Sequence, residues 1–301
     1  MRDRFTGCGT ALVTPFTTGG ALDDAGVRRL ARRQIDAAIH FLVPCGTTGE
    51  TPTLSAAERR RVVAIVVEEA RGQVPVLAGA GGYDTREVIE SALEMASAGA
   101  DGILSVAPYY NKPTQEGLFQ HYQAIAQAVP LPIVLYNVPG RTGCNIDVAT
   151  VVRLSAVPGI IGVKEASGNV TQMCELRRAL PETFLVLSGD DALTLPVMSI
   201  GGRGIISVAS NEVPAEMARM VELAEAGDFA GARALHHRLL PLMQINFVES
   251  SPIPVKAAMA MMGLVEEVYR LPLVPPSAAS RERIGGVLRD LGLTVAAASR
   301  A

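Results

Sequence analysis

The run Ile160-Ile161-Gly162-Val163-Lys164 is an unbroken apolar stretch that ends on an amine. It is rich in β-branched residues and barely alternates, which reads as a parallel strand covered on both faces. Seven further stretches of this kind recur along the chain, at 9–13, 41–45, 76–78, 102–106, 133–136, 184–187 and 204–208. Segments of helical periodicity separate them. Ser55-x-x-Glu58 is a capping box ahead of Val62, Val63, Ile65 and Val66, and Asp84-x-x-Glu87 repeats the device. Pro214 suits the first turn of another helix. Eight strand–helix units in about 225 residues are the count of a (β/α)8 TIM barrel, an α/β fold with its active site at the C-terminal strand ends. A doubly wound open sheet is the rival, but no GxGxxG follows the first strand. The barrel is expected over residues 1–225. Beyond it the strand signal stops, and 226–301 read as a C-terminal helical appendix interrupted at Pro252-Ile253-Pro254.

Composition narrows the function classes. The chain has 301 residues, 49% of them hydrophobic, and a formal charge of −3. It carries no basic stripe or acidic tail, which argues against nucleic acid and anionic membrane as partners. Met1-Arg2-Asp3-Arg4 leads into no apolar signal core, and no apolar stretch is long enough to span a bilayer. Four scattered cysteines without CxxC spacing, and four unclustered histidines, argue against a disulfide framework or a metal site and fit a reducing cytoplasm.

Lysine is scarce: arginine outnumbers it 24 to 3, and the copies are Lys112, Lys164 and Lys256. A guanidinium stays protonated, whereas a buried amine can lose its proton and attack a carbonyl. A free lysine, with a pKa of about 10.4, offers roughly one nucleophile in a thousand at neutral pH, and burial raises that share. On period-2 parity, Lys164, Gly162 and Ile160 share a face, with Gly162 leaving space beneath the lysine; Tyr136 and Val134 share another. Adjacent strands lie roughly 5 Å apart, so the Tyr136 hydroxyl and the Lys164 amine are expected to meet over the barrel mouth. Thr47 and Thr48 face them from the opposite wall, and a Gly-Thr-Thr-Gly turn offers backbone N–H groups to a carboxylate. Arg141, after Pro139-Gly140, suits a second carboxylate. Each piece also has a plain reading: a strand-end lysine paired with an acid, a packed tyrosine, a solvated arginine. Lys112 reads as an exposed loop residue, and Lys256, following Pro-Ile-Pro-Val, as structural.

At these residues the chain resembles the dihydrodipicolinate synthase family, of the pyruvate-dependent class I aldolase superfamily that includes N-acetylneuraminate lyase. The strings that carry the resemblance are Gly46-Thr47-Thr48-Gly49-Glu50, Pro108-Tyr109-Tyr110-Asn111, Tyr136-Asn137-Val138-Pro139-x-Arg141-Thr142-Gly143, Gly162-Val163-Lys164-Glu165-Ala166, Ser188-Gly189-Asp190-Asp191, Gly204-Ile205-Ile206-Ser207 and Pro252-Ile253-Pro254-Val255-Lys256. The resemblance implies that Lys164 forms a Schiff base with pyruvate. It implies a proton relay of Tyr136, Thr48 and Tyr110, the last from a neighbouring subunit. Thr47 and Thr48 would hold the pyruvate carboxylate, Gly189 and Ile206 would line the pocket, and Arg141 would grip L-aspartate 4-semialdehyde. The implied product is 4-hydroxy-tetrahydrodipicolinate, for lysine and diaminopimelate synthesis. No metal or organic cofactor is implied, and the implied assembly is a homotetramer, a dimer of dimers.

Two alternatives stand beside this. One is a pyruvate-dependent aldolase acting on a sugar-derived or hydroxylated aldehyde, which makes Arg141 incidental; the other is a non-catalytic binding barrel. The chain also departs from the family where lysine acts as feedback inhibitor, a site that corresponds to Thr51, Ala56, Arg59, Tyr83, Glu87 and Tyr109. Lysine-sensitive members usually carry two histidines where this chain has Ala56 and Arg59, and an asparagine where it has Tyr83. Glu87 and Tyr109 match. Weak or absent lysine inhibition is the expectation.

Overall fold

A computed structural model describes residues 2–293. Its eight strands are β1 (Gly7–Ala11), β2 (Phe41–Val43), β3 (Leu77–Gly79), β4 (Gly102–Val106), β5 (Ile133–Asn137), β6 (Ile160–Glu165), β7 (Leu185–Ser188) and β8 (Gly204–Ser207). All pair in parallel, in the order β2-β1-β8-β7-β6-β5-β4-β3. A parallel bridge between Leu42 and Val76 joins the two ends, with Leu42 N–H donating to Pro75 O and Gly79 N–H to Pro44 O. The ring so formed is a TIM barrel. Each expected apolar stretch is one of its strands, with ends moved by one or two residues.

The helices are α1 (Asp24–Asp36), α2 (Ala56–Ala70), α3 (Thr85–Ser97), α4 (Gln115–Ala128), the single turn α5 (Pro139–Thr142), α6 (Val148–Ser155), α7 (Val170–Ala179), α8 (Thr194–Ser199) and α9 (Pro214–Glu225). Three more follow the barrel: α10 (Phe229–Ile245), α11 (Ile253–Met261) and α12 (Ala278–Asp290). The Ser55–Glu58 capping box forms in full at the start of α2, satisfying two end N–H groups. Asp84 caps α3 through the Arg86 N–H. Pro214 occupies the first turn of α9.

Two apolar layers result. The inner one fills the barrel with Ala11, Phe41, Val43, Leu77, Leu104, Val134, Leu185, Leu187 and Ile206. Phe5 closes its lower end, stacked edge-on against Phe41 with ring centroids 5.9 Å apart. The outer layer lies between strands and helices and takes in Ile284 and Leu288 of α12, so the last helix buries its apolar stripe against the same core.

Simple alternation fails at one place. Ile133 pairs with Ile160, but the next residue, Val134, pairs with Gly162. The extra residue is a β-bulge, and it sends Ile160 to the outer layer and Ile161 to the inner one. Ile160 therefore does not share a face with Lys164, contrary to the parity reading. Nor does Gly162 leave a void. A Cβ there would lie 2.6 Å from Leu185 Cβ and 2.8 Å from Leu185 O, so the glycine is needed because β7 presses against it.

Candidate active site

Lys164 ends the inner face of β6, in register with Tyr136 on β5 and Leu187 on β7. It is 5% exposed and Tyr136 is 6% exposed, so both sit under the barrel mouth with their tips near its opening. The Lys164 Nζ stands 4.2 Å from the centroid of the Tyr136 ring. The amine thus meets the ring face, and among the described residues no hydrogen bond joins it to the hydroxyl. Direct ladder partners carry parallel stems, which lays the lysine along the ring. The stem also passes Gly189, where a Cβ would lie 3.0 Å from Lys164 Cε and 2.6 Å from Ala166 Cβ. Ile206 lies in the inner layer, fully buried.

Thr47 and Thr48 sit in a short 3-10 turn, Thr47–Gly49, just past β2. Thr48 is buried and Thr47 half-buried. Hydroxyls hold this turn from outside: Thr14 Oγ1 donates to Gly49 O at 2.7 Å, and Thr51 Oγ1 reaches Cys45 O and Gly46 O at 2.5 and 2.9 Å. Arg141 projects from the α5 turn into the open, its Nη2 donating to Ser251 O at 2.9 Å. It borders two cavities. One, of about 590 Å³, is lined by Gly140, Phe247, Glu249, Ser250 and Ser251. The other, of about 380 Å³, also touches Thr47 and Tyr136.

That second cavity extends to Thr51, Arg59, Tyr83, Glu87 and Tyr109, so most of the expected effector residues share one space with Thr47 and Tyr136. Tyr83 and Tyr109 meet edge-on at 5.2 Å. Burial raises the Tyr109 pKa, with Tyr83 and Glu87 adding to it and Arg59 opposing. Arg59 Nη1 donates to Leu54 O at 3.0 Å. Ala56 is exposed on α2 and does not line the cavity. Tyr110 also stands apart, 90% exposed and held at φ 70°.

Three buried carboxylates support this site without appearing among the expected site residues. Glu165, fully buried beside Lys164, accepts from Asn137 Nδ2 at 2.9 Å, Gln172 Nε2 at 3.1 Å and Ser167 N–H at 2.7 Å. Asn137 pairs with Glu165 one step beyond Tyr136 and Lys164. The inner pair faces the site while the outer pair ties the strand ends together. Asp191 accepts from Ser207 Oγ at 2.5 Å and from the N–H groups of Val208 and Ala209, joining the β7 loop to β8. Burial raises its pKa and those hydrogen bonds oppose the rise. Glu50 pairs with Lys256 in the interior. The signal for all three is their place: each lies within a motif string, one or two residues from a site residue. Lys112 is an exposed loop residue, as expected.

Known proteins bear on the same residues. The family model of the Dihydrodipicolinate synthetase family matches residues 4–291. The 4-hydroxy-tetrahydrodipicolinate synthase of Koribacter versatilis is 53% identical over 291 residues, covering 96% of this chain and 97% of that protein. A crystal structure of dihydrodipicolinate synthase from Aquifex aeolicus superposes with a TM-score of 0.95 at 41% identity, over 97% of this chain and all of that one, 100%. A monomeric dihydrodipicolinate synthase variant is similar to the same degree, with TM-score 0.95, 41% identity and coverage of 97% and 98%. With a matched family model over nearly its whole length, a TIM barrel of the same shape and Lys164 at the mouth of that barrel, the chain belongs to the Dihydrodipicolinate synthetase family.

Proposed function

We propose that Lys164 condenses pyruvate with L-aspartate 4-semialdehyde, the 4-hydroxy-tetrahydrodipicolinate synthase reaction of this family. The observation that carries the reading is a nearly buried amine at a strand end of the barrel, stacked on Tyr136, which shares a cavity with Thr47. The amine adds to the pyruvate carbonyl, and water leaves to give the Schiff base. Proton traffic in both steps is assigned to Tyr136 and Thr48, with Tyr110 of a second copy completing the relay. Thr47 and Thr48 hold the pyruvate carboxylate, and Gly189 and Ile206 shape the pocket beside the lysine. Loss of a proton gives an enamine that attacks the aldehyde carbon. The semialdehyde's amine then displaces Lys164 by ring closure, which frees the enzyme. Arg141 is assigned to the semialdehyde carboxylate from the rim.

A homotetramer, a dimer of dimers, fits the 90% exposure of Tyr110, an aromatic ring with nothing to cover it in one chain. A cytoplasmic setting fits four cysteines that are all free. Among the described residues, no helix is long and apolar enough to cross a membrane. Division into a barrel over 1–225 and an appendix over 226–301, of which 1 and 294–301 lie outside the described residues, fits the end of α9 at Glu225 and the start of α10 at Phe229.

Treatment with pyruvate and borohydride, followed by mass measurement, tests the chemistry. One pyruvate-sized adduct at Lys164 is expected, absent in Lys164→Ala. No adduct on the parent would sink every Schiff-base reading of this site.

A further inference from the structure

The Thr47–Thr48 turn ends on Glu50, which takes the left-handed conformation with φ 55° and ψ 33°. A non-glycine residue adopts that region at a cost and stays there only where its surroundings hold it. Here the hold comes from the far end of the chain. Lys256 Nζ of α11 donates to Glu50 Oε1 at 2.5 Å, across 206 residues of sequence, and both side chains are 0% exposed. The ammonium also lies 4.1 Å from the Phe16 ring centroid and 5.6 Å from that of Tyr269. Glu50 Oε2 has no hydrogen-bond partner, so the carboxylate is anchored through the lysine alone. Arg270 adds a second fastening, donating to Thr53 O at 3.0 Å and to both Glu58 oxygens.

A buried ion pair is a poor way to add stability, since an apolar pair of the same shape often does as well. What a short charge-assisted bond adds is a fixed position. The residues whose position it fixes are those of the turn that Glu50 closes, which carries the two threonines assigned to the pyruvate carboxylate. Lys256 is fully buried against Phe16 and Tyr269, whereas Lys164 rests on the ring of Tyr136, a residue that lines the cavity of about 380 Å³.

We propose that Glu50 and Lys256 form a positioning pair that holds Thr47 and Thr48 in place over Lys164, so that α11 belongs to the pyruvate site without touching substrate. This rests on the Lys164–pyruvate reading above. The test is the double variant Glu50→Gln/Lys256→Met, which removes both buried charges at similar volume, alongside Lys256→Met, which strands the carboxylate. Pyruvate–borohydride labelling of the parent comes first, and no label there overturns both readings. With the parent labelled, the double variant is expected to fold, to show a KM for pyruvate raised about tenfold or more, and to label correspondingly slowly at low pyruvate. Its KM for the semialdehyde is expected to stay within about twofold of the parent, because the pair acts on one substrate's site. A merely structural pair would lower Tm and leave both KM values alone. That outcome, or a double variant that does not fold, overturns the positioning role.

Discussion

Three lysines in one chain end in three different physical situations. Lys112 is solvated, Lys256 is neutralised by Glu50, and Lys164 is nearly buried with its amine against an aromatic face. Burial lowers the Lys256 pKa while Glu50 opposes the shift, so a lowered pKa alone would point to Lys256 and not to the amine proposed for the reaction. The neighbours separate the two instead: Lys164 lies against Tyr136, which lines a cavity into which a carbonyl can come, whereas Lys256 lies against Phe16 and Tyr269, which line neither cavity. Arg141, proposed for the second substrate, borders both cavities, and among the described residues its guanidinium is hydrogen-bonded to Ser251 O alone. Arg141→Ala is expected to leave pyruvate labelling intact and to lower kcat/KM for the semialdehyde by about 10- to 100-fold, the worth of a charged hydrogen bond. A near-parental value in steady-state kinetics would remove Arg141 from its role. At Arg59 the residue type itself is informative. A guanidinium in the cavity that holds Tyr109 and Glu87 repels an ammonium-bearing ligand. Initial rates titrated with lysine should therefore show no inhibition at sub-millimolar concentration; inhibition in that range would refute the reading.

At the scale of elements, β5 and β6 each deliver one residue to the mouth on the inner face and one fastening residue on the outer face. Tyr136 and Asn137 do so on β5, Lys164 and Glu165 on β6. The strand stretches were legible because parallel strands must be apolar on both faces. The bulge in β6 was not, because nothing in Ile160-Ile161-Gly162 distinguishes a regular pleat from one with an extra residue. Helices contribute a pH dependence. His121 of α4 is 6% exposed; one ring nitrogen contacts Thr85 Oγ1 at 2.9 Å and the other has no partner. Burial moves its pKa from 6.5 down to about 4. Between those values the unfolded chain binds a proton that the native chain refuses. Stability is thus full above pH 6.5 and falls as the pH drops towards 4, by on the order of 3 kcal/mol at the lower limit. His121→Gln should flatten that part of the profile, read as urea midpoints between pH 7 and 4; an unchanged slope would show that other groups set it.

At the scale of the molecule, a single chain supplies a barrel, a plugged floor and a C-terminal helical region whose Lys256 and Arg270 reach back to the active-site turn. Tyr110 points away from all of this into solvent. If the chain assembles as the proposed tetramer, with a second copy covering Tyr110 in each dimer, sedimentation at working concentrations should show a species four times the 31.6 kDa chain mass. A fully active monomer would instead exclude a neighbour's Tyr110 from the relay. The sequence by itself determined the eight strands, the barrel and the motif strings at the strand ends, and it made Lys164 a candidate amine, because those follow from local burial, periodicity and the chemistry of residue types. Only the tertiary structure decided that Lys164 meets the ring of Tyr136, that Gly162 is packed rather than hollow, and that Glu50 is held by Lys256. Each of these is a contact between residues distant in sequence or displaced by a bulge, and local patterning carries no record of which distant side chain fills a given space.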